Sequence, residues 1–563
     1  MVQTVREIER KYEAEDGAEP IGLTELSALS ELPGVASATD QGTVALDATY
    51  YDTADQRLAA DGVTLRRRTG GSDEGWHLKL PVRPKGTPRT GAGDDVVRDE
   101  VRAPLADSAP ADLVALVRSR TRGAPLVPLV RLRTERAAWH LRDGGGHLLV
   151  EISIDRVTAQ PPAGEGARSA RWTEVEVELA PGQDAALLDT IEQHLTALGL
   201  RAARSRSKLA RALDETGSRP GEHAPLTDAR REEQRKTDPK SAKKARQRKG
   251  ADALFGGGDT AAEPTAADVV LDYVRRQIAA IVALDPAVRL DTPDAVHKMR
   301  VATRRLRSVF RSYRRVIDRS ATDPVGAELK WLAGELSANR DREVLAARLG
   351  AGLDTVPGPL LLGPVQARLR IWSHAEHAHS RERLLAALDG DRYLALLAAL
   401  DAFRVHPPAT AAGMPLLRSG AAKPPGGVLR KAVFKDCDRL AARVAAALAL
   451  PAGAERDGAL HGARKAAKRA RYAAEAAELG LGRAAKELAA RVQEVQQVLG
   501  DHQDSVVARA ALRDIAAQAN VAGESTFTFG LLYGREEAAA AALERELPGV
   551  CARVTDPGPA GPI

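Results

Sequence analysis

Glu7-Ile8-Glu9-Arg10-Lys11 places two carboxylates and an amine at alternate positions a few residues into the chain. In a β-strand successive side chains point to opposite faces, so Glu7, Glu9 and Lys11 share one face while Ile8 and Tyr12 share the other. An edge strand with a solvated polar face would carry the same pattern. The segments that follow decide between an open ionic face and an enclosed one.

The alternation recurs. VTLRRR at 63–68 sets Arg66 beside Arg68, and WHLKL at 76–80 sets His77 and Lys79 opposite a Trp/Leu/Leu face. RLRTE at 131–135 and EISID at 151–155 follow the same rule, and EVEVEL at 174–179 lines up three glutamates against three aliphatics. Period and β-branched content predict strands. Same-face neighbours lie about 7 Å apart, so at an effective dielectric of about 20 each adjacent glutamate pair repels by on the order of 2 kcal/mol. Water would screen most of that, whereas an enclosed face needs counter-charge. Lys11, Arg66, Arg68, Lys79, Arg131, Arg133 and Lys208 can supply it. Such a set suits a divalent cation on hard oxygen ligands beside a polyanion held by guanidinium and ammonium groups. A charged inner face with an apolar outer face predicts a barrel turned inside out, covered by helices over 113–120 and 185–198.

At 563 residues the chain exceeds a single core, and two or three domains are expected. A net charge of +6 conceals segregation, with acids in a few strands and bases in a linker and two helices. Cys437 and Cys551 form no disulfide framework and no zinc motif. With no apolar leader and no bilayer-length apolar run, the expectation is a cytoplasmic protein without a membrane partner. No Ser-His-Asp order or reactive cysteine appears. The glycines at 70–71 and 144–146 lack a P-loop lysine and read as hairpin turns.

EIERK (7–11), YYDT (50–53), LRRR (65–68), HLKLP (77–81), RDE (98–100), EISID (151–155), EVEVE (174–178) and SKLAR (207–211) together resemble the CYTH domain of the triphosphate tunnel metalloenzyme superfamily. The resemblance implies an eight-stranded antiparallel tunnel that binds a linear triphosphate with one or two Mg²⁺ or Mn²⁺ ions. It implies Glu7, Glu9, Glu174, Glu176 and Glu178 as the metal set, and Lys11, Arg66, Arg68, Lys79, Arg131, Arg133 and Lys208 as the phosphate cradle. Glu100 and Asp155 fall at acidic tunnel positions. Catalysis is expected from Glu7, Glu9, Lys11, Glu176 and Glu178, and no charged motif residue is missing. The metal neutralises phosphate oxygens, and a second metal or a tunnel carboxylate activates water without a covalent nucleophile.

Residues 216–264 are rich in turn formers and then dense in Lys and Arg, which predicts a disordered basic linker, a solvated tether with non-specific affinity for phosphate polymers, nucleic acid included. Beyond it one pattern occurs twice. His297, Arg300, Arg304 and Arg307 fall at intervals of three, four and three, and His461, Arg464, Lys468 and Arg471 repeat those intervals. Each set lies on one helix face, where stacked like charges cost a few tenths of a kcal/mol per pair. The repetition, with NRD at 339–341 and HQD at 502–504, marks an internal duplication and points to a shared anionic ligand. Apolar periodicity over 269–284, 329–349, 384–400, 428–448 and 484–499 predicts long packed helices, with a Pro/Gly-rich stretch at 405–427 dividing two bundles.

HKMRVATRRLRS, NRDREV, LHGARKAAKRARYAAE and LGDHQDSVV resemble the CHAD domain, the conserved-histidine α-helical domain that commonly follows CYTH. That likeness implies two four-helix bundles with a basic surface for inorganic polyphosphate. The implied contacts are His297, Lys298, Arg300, Arg304, Arg305 and Arg307 with His461, Arg464, Lys465, Lys468, Arg469, Arg471 and Tyr472, while Asp341 and Asp504 orient them. The expected plan is therefore a CYTH tunnel at 1–215, the linker at 216–264, a duplicated all-α CHAD domain at 265–550 and a frayed tail at 551–563. Its expected activity is metal-dependent hydrolysis of inorganic triphosphate coupled to polyphosphate binding, with association to polyphosphate granules as an extension. Alternatives are a polyphosphate-binding protein with little catalysis, and a nucleotide cyclase or thiamine triphosphatase built on the same tunnel.

Overall fold

The computed structural model describes residues 3–14, 28–82, 96–162, 168–205, 207–217, 264–337, 340–374, 377–404 and 416–555. The chain divides into two compact units, Met1–Gly258 and Asp259–Ile563. Nearly all of the expected basic linker lies outside the described residues. No helix among them is long and apolar enough to cross a membrane.

The first unit is a closed antiparallel barrel. Its strands are β1 (Gln3–Ala14), β2 (Ser37–Asp52), β3 (Thr64–Thr69), β4 (Gly75–Pro81), β5 (Val96–Ala103), β6 (Val127–Arg142), β7 (Leu148–Gln160) and β8 (Ala170–Leu179), with a short β9 (Leu200–Ala202) appended to β1. The order β5-β4-β3-β2-β6-β7-β8-β1 closes because β1 also pairs with β5. Both glycine clusters sit in hairpins, between β3 and β4 and between β6 and β7. Gly70 adopts φ +83°, and a Cβ there would stand 2.3 Å from the Ala45 carbonyl oxygen, so only glycine fits the turn.

Alternation divides the barrel wall. Tyr12, Trp139, Leu141, Val150, Ile152, Ile154, Val175 and Val177 form an outer apolar layer, covered by Leu188, Ile191 and Leu195 of a helix at Ala186–Ala197. Two short helices, α1 (Arg57–Ala60) and α2 (Ala111–Thr121), precede it in the chain, so the covering helix is α3. Burying its three aliphatic side chains favours the fold by about 1.5–3 kcal/mol each before entropy is counted. The opposite parity faces inward. There α4 (Lys208–Glu215), capped by Ser207 accepting from the Ala210 amide, packs Leu209, Ala212 and Leu213 against Ala48, Val130, Leu132, Val157 and Trp172. One end of the barrel is thus filled by apolar side chains, and the remaining interior is ionic.

The described residues of the second unit are helical apart from one isolated bridge between Ile317 and Leu417: α5 (Ala266–Arg289), α6 (Ala295–Ser312), α7 (Arg319–Glu335), α8 (Arg340–Asp354), α9 (Val365–His374), α10 (His377–Asp389), α11 (Asp391–Asp401), α12 (Pro425–Leu448), α13 (Ala454–Val521) and α14 (Phe527–Thr555), with their connections. The expected helix over 329–349 divides between α7 and α8, and that over 384–400 breaks at Gly390 between α10 and α11. Two apolar clusters form, but their seam does not fall at 405–427. One joins α5, α6, α7, α10, α11, α12, α13 as far as Leu499 and the end of α14, and the other joins α8, α9, the end of α13 and the start of α14. The helix α13 runs through both, and its buried residues pass from the first cluster to the second between Leu499 and Ala508, well beyond its one turn at Gly482 (φ 63°, ψ −145°). The last helix continues to Thr555, five residues into the stretch expected to be frayed.

Candidate functional site

Strand register assembles the site. On β1, Glu9 lies opposite Glu178 and Lys11 opposite Glu176 of β8, while Glu7 lies opposite Arg98 of β5. Glu151 and Asp155 of β7 stand opposite Glu178 and Glu174, and Arg136 of β6 opposite Asp155. Arg66 and Lys79 come from β3 and β4, and Lys208 enters at the start of α4. All of these but Glu9, Asp155 and Glu174 line a cavity of about 520 Å³. Glu7 and Glu9 are 3% and 2% exposed, so this is an enclosed face.

Toward the filled end, charges balance. Lys208 Nζ lies 2.8 Å from Asp155, 2.9 Å from Glu174 and 2.6 Å from Glu176. Lys11 pairs with Glu176, and Arg136 donates to Asp155 and Glu176 at 2.6 Å each. Burial opposes the charge on Asp155, but Lys208 and Arg136 outweigh it and hold the carboxyl well below its usual range. Oxygens of Asp155, Glu174 and Glu176 come within 4.8 Å of one another, a donor set suited to a hard divalent cation, although such an ion would have to displace the Lys208 ammonium.

Farther along, charges do not balance. Lys79 reaches Glu7 at 2.6 Å and Arg98 reaches Glu9 at 3.3 Å. Burial, opposed by Lys79 but joined by Glu100 and Glu178, still pushes the Glu7 carboxyl up to about 7. Burial also raises Glu178, with Lys79 opposing and Glu9 and Glu151 adding repulsion. The cations near these acids do not offset their burial and mutual repulsion, and the acids fit a divalent cation shared with Glu9. Beside them the cations are crowded and buried, although Lys11 pairs with Glu176 and Arg68 with Asp73. Burial with crowding by Arg66 and Arg136 pushes the Arg68 guanidinium down to about 9, and burial brings Lys11 down to about 8 despite Glu9. One chamber therefore attracts a cation at one group of side chains and an anion at the next.

His77 is buried, with Nδ1 3.0 Å from Glu100 Oε1 and Nε2 2.8 Å from the Asp73 carbonyl oxygen. Burial, with Arg66 and Arg68 adding repulsion, pushes the His77 imidazole down to about 4 against the Glu100 hydrogen bond. Burial opposes the charge on Glu100, but His77, Lys79 and Arg66 hold its carboxyl well below its usual range. Glu100 in turn pairs with Arg102 and lies 3.8 Å from Lys79 and 3.9 Å from Arg66.

Arg131 and Arg133 are not in this chamber. Their side chains are 49% and 57% exposed on the outer wall, paired with Asp47. The inward residues of β6 are Val130, Leu132, Thr134, Arg136, Ala138 and His140. Because α4 covers the first two with apolar groups, the inner face there looks like an outer one in sequence. Trp139 and Leu141, outward and apolar, carry the signal that sets the parity and would have identified Arg136. Arg98, Arg102, His140 and Glu151, which also line the cavity, escaped the sequence reading.

In the helical unit the two basic sets converge. Burial and then Arg464, Arg304 and Arg300 push Lys468 down to about 7, which puts cations of α6 and α13 in one cluster. Arg300 donates to Ser337 at 3.4 Å, and Arg464 lies 3.7 Å from Asp504. Lys465, His297 and Lys298 are exposed, and burial lowers His461, with Lys465 adding to the effect. Arg307 is likewise lowered by burial and Arg311. The rest are engaged elsewhere. Arg305 and Arg471 reach Glu475 at 3.1 and 2.8 Å around Tyr472, and Arg469 binds Asp436 at 3.1 Å. The Asp341 side chain lies outside the described residues. His502 is buried between Asp457 and Glu544, at 3.5 and 3.0 Å.

A family model described as the CYTH domain matches residues 6–213, and one described as the CHAD domain matches residues 272–513. Two uncharacterized proteins of Mycobacterium tuberculosis strains are each 35% identical over 549 residues, which span 94% of this chain and 92% of theirs. Among solved structures, PptA from Streptomyces chartreusis is 21% identical and covers 51% of this chain and 99% of its own, with a TM-score of 0.42. A CHAD domain from the plant Ricinus communis is 24% identical over 52% of this chain and 92% of its own, with a TM-score of 0.37.

Proposed function

The chain belongs to the family that joins a CYTH domain to a CHAD domain, and from that membership we propose that its barrel hydrolyses inorganic triphosphate while its helices hold inorganic polyphosphate. The observation that carries this reading is a single buried chamber that sets Glu7, Glu9 and Glu178 beside Lys11, Arg66, Arg68 and Lys79. Burial pushes Glu7 and Glu178 up and Lys11 and Arg68 down, so that each of these four charges is held at a cost that a bound ion of opposite sign would relieve. A metal-bound triphosphate answers both needs at once.

Glu7, Glu9, Glu174, Glu176 and Glu178 would hold Mg²⁺ or Mn²⁺, which supplies charge neutralisation at the phosphate oxygens. Lys11, Arg66, Arg68 and Lys79, with Arg136 added to the set, grip and align the phosphates. Lys208 stays on Asp155 and yields Glu174 and Glu176 when the metal is bound, and α4 keeps water from crossing that end. A tunnel carboxylate takes the proton of the attacking water. On the helices, Arg300, Arg304, Arg464 and Lys468 form the groove that the polymer occupies, flanked by His461 and Lys465.

The test is phosphate release by purified protein from tripolyphosphate, thiamine triphosphate and nucleoside triphosphates with Mg²⁺ or Mn²⁺. Turnover of tripolyphosphate is expected, and Glu176→Ala or Lys11→Ala should abolish it while circular dichroism shows an unchanged fold. No release from any of these substrates sinks the reading, and cyclic nucleotide as the main product replaces it with a cyclase.

A further inference from the structure

Arg131 and Arg133 belong to a larger arrangement on the outer wall. Arg131 lies opposite Thr49 of β2 and Gln160 of β7, and Arg133 opposite Asp47 and Thr158. Thr49 is opposite Arg67 on β3, Thr158 opposite Arg171 on β8, and Glu135 opposite Arg156. Five arginines from four strands thus share one sheet face with two carboxylates, Asp47 and Glu135, leaving an excess of three positive charges. Arg131, Arg133, Arg156 and Arg171 are exposed. The helix α3 covers a different part of the wall, over Ile152, Ile154, Val175 and Val177.

Neighbouring strands are about 4.8 Å apart and same-face residues about 7 Å apart, so the guanidinium groups form a grid that one extended polyanion can contact repeatedly. Asp47 sits within it. Its carboxyl is held below the usual range by the Arg131 hydrogen bond, against some burial, and by Arg131, Arg133 and Arg67. The other outward groups, Thr49, Thr158, Thr173 and Gln160, offer hydrogen bonds but no stacking ring. Tyr51, outward on β2, packs against Trp76 with centroids 5.0 Å apart. Single-stranded nucleic acid is normally held on aromatic platforms, and a bare phosphate chain needs none.

We propose that this arginine face docks a linear inorganic phosphate polymer on the outside of the barrel, as a second binding surface distinct from the helical groove. It stands whether or not the groove or the tunnel acts as described above.

The experiment uses the full chain and long-chain sodium polyphosphate. In a protein carrying Arg300→Gln, Arg304→Gln, Arg464→Gln and Lys468→Gln, binding should persist and weaken roughly 20-fold between 50 and 200 mM salt, the response of about three phosphates at about 0.7 each in the log-log slope. Adding Arg131→Gln, Arg133→Gln, Arg156→Gln and Arg171→Gln should lower affinity at least tenfold at low salt and flatten that response. The same four face substitutions in the otherwise unchanged chain should reduce its salt slope by about 2, an arm independent of whether the groove variant folds. An unchanged slope there, or no residual binding in a folded groove variant, overturns the proposal. Tighter binding of poly(dT) than of polyphosphate by the folded groove variant overturns the assignment of the polymer in favour of nucleic acid.

Discussion

At the scale of single residues, what matters is how each charge is paired. Lys468 shows the consequence most directly, since burial and three arginines push its ammonium down to about 7. An amine is charged below its pKa and neutral above it, so the groove gains a positive charge as pH falls through 7. Polyphosphate affinity should therefore fall as pH rises from about 7 to 9, by at most about tenfold per unit. Lys468→Arg should remove that dependence, because guanidinium stays charged throughout. Equilibrium titration at several pH values reads this, and a pH-independent affinity in the parent protein contradicts it. Much of the inner ionic set was legible from alternation alone, because Glu7, Glu9 and Lys11 face apolar Ile8 and Tyr12 without ambiguity. Arg136 was not, because the apolar residues at 130 and 132 mimic an outer face where α4 fills the barrel. Nor could sequence separate Arg304 and Lys468, which crowd one cluster, from Arg305 and Arg471, which are tied to Glu475, since all sit on the same two helices.

At the scale of elements, α4 and α13 do what their periodicity does not announce. The α4 helix has only eight residues, and its value lies in Leu209, Ala212 and Leu213 entering the barrel end. Leu213→Ala should cost about 2–5 kcal/mol in urea unfolding. A cost near zero would mean that α4 does not seal the barrel. In α13, Gly482 adopts φ 63°, ψ −145°, a region essentially reserved for glycine. A Cβ there meets nothing within 4 Å, so any penalty for Gly482→Ala is backbone strain rather than a clash. About 1–3 kcal/mol is expected in the same measurement, and no change would mean the bend relaxes freely. Strands and helices were legible by period, including α3 over its expected span. The bend was not, because Gly480 and Gly482 sit in an otherwise continuous helical pattern, and the seam between the clusters falls between Leu499 and Ala508 within α13 rather than at the Pro/Gly-rich stretch.

At the scale of the whole molecule, a net charge of +6 describes neither unit. The barrel gathers many of its acids and bases inside, where burial makes both signs costly to hold, and it leaves a separate set of arginines on its outer wall. The helical unit brings duplicated basic helices together so that one cluster draws on both repeats. Duplication and segregation were visible in sequence spacing, whereas convergence needed the packing of α6 on α13. The central claim is that the even-numbered face of β6 works on triphosphate and the odd-numbered face does not. It is tested most directly by phosphate release from tripolyphosphate, with divalent cation, by Arg136→Met and Arg133→Met side by side. Arg136 bridges Asp155 and Glu176, and its loss should lower turnover by about 10²–10³, whereas loss of Arg133 should leave turnover within about twofold of the parent. Equal losses in the two variants, or a larger loss from Arg133→Met, would contradict the account.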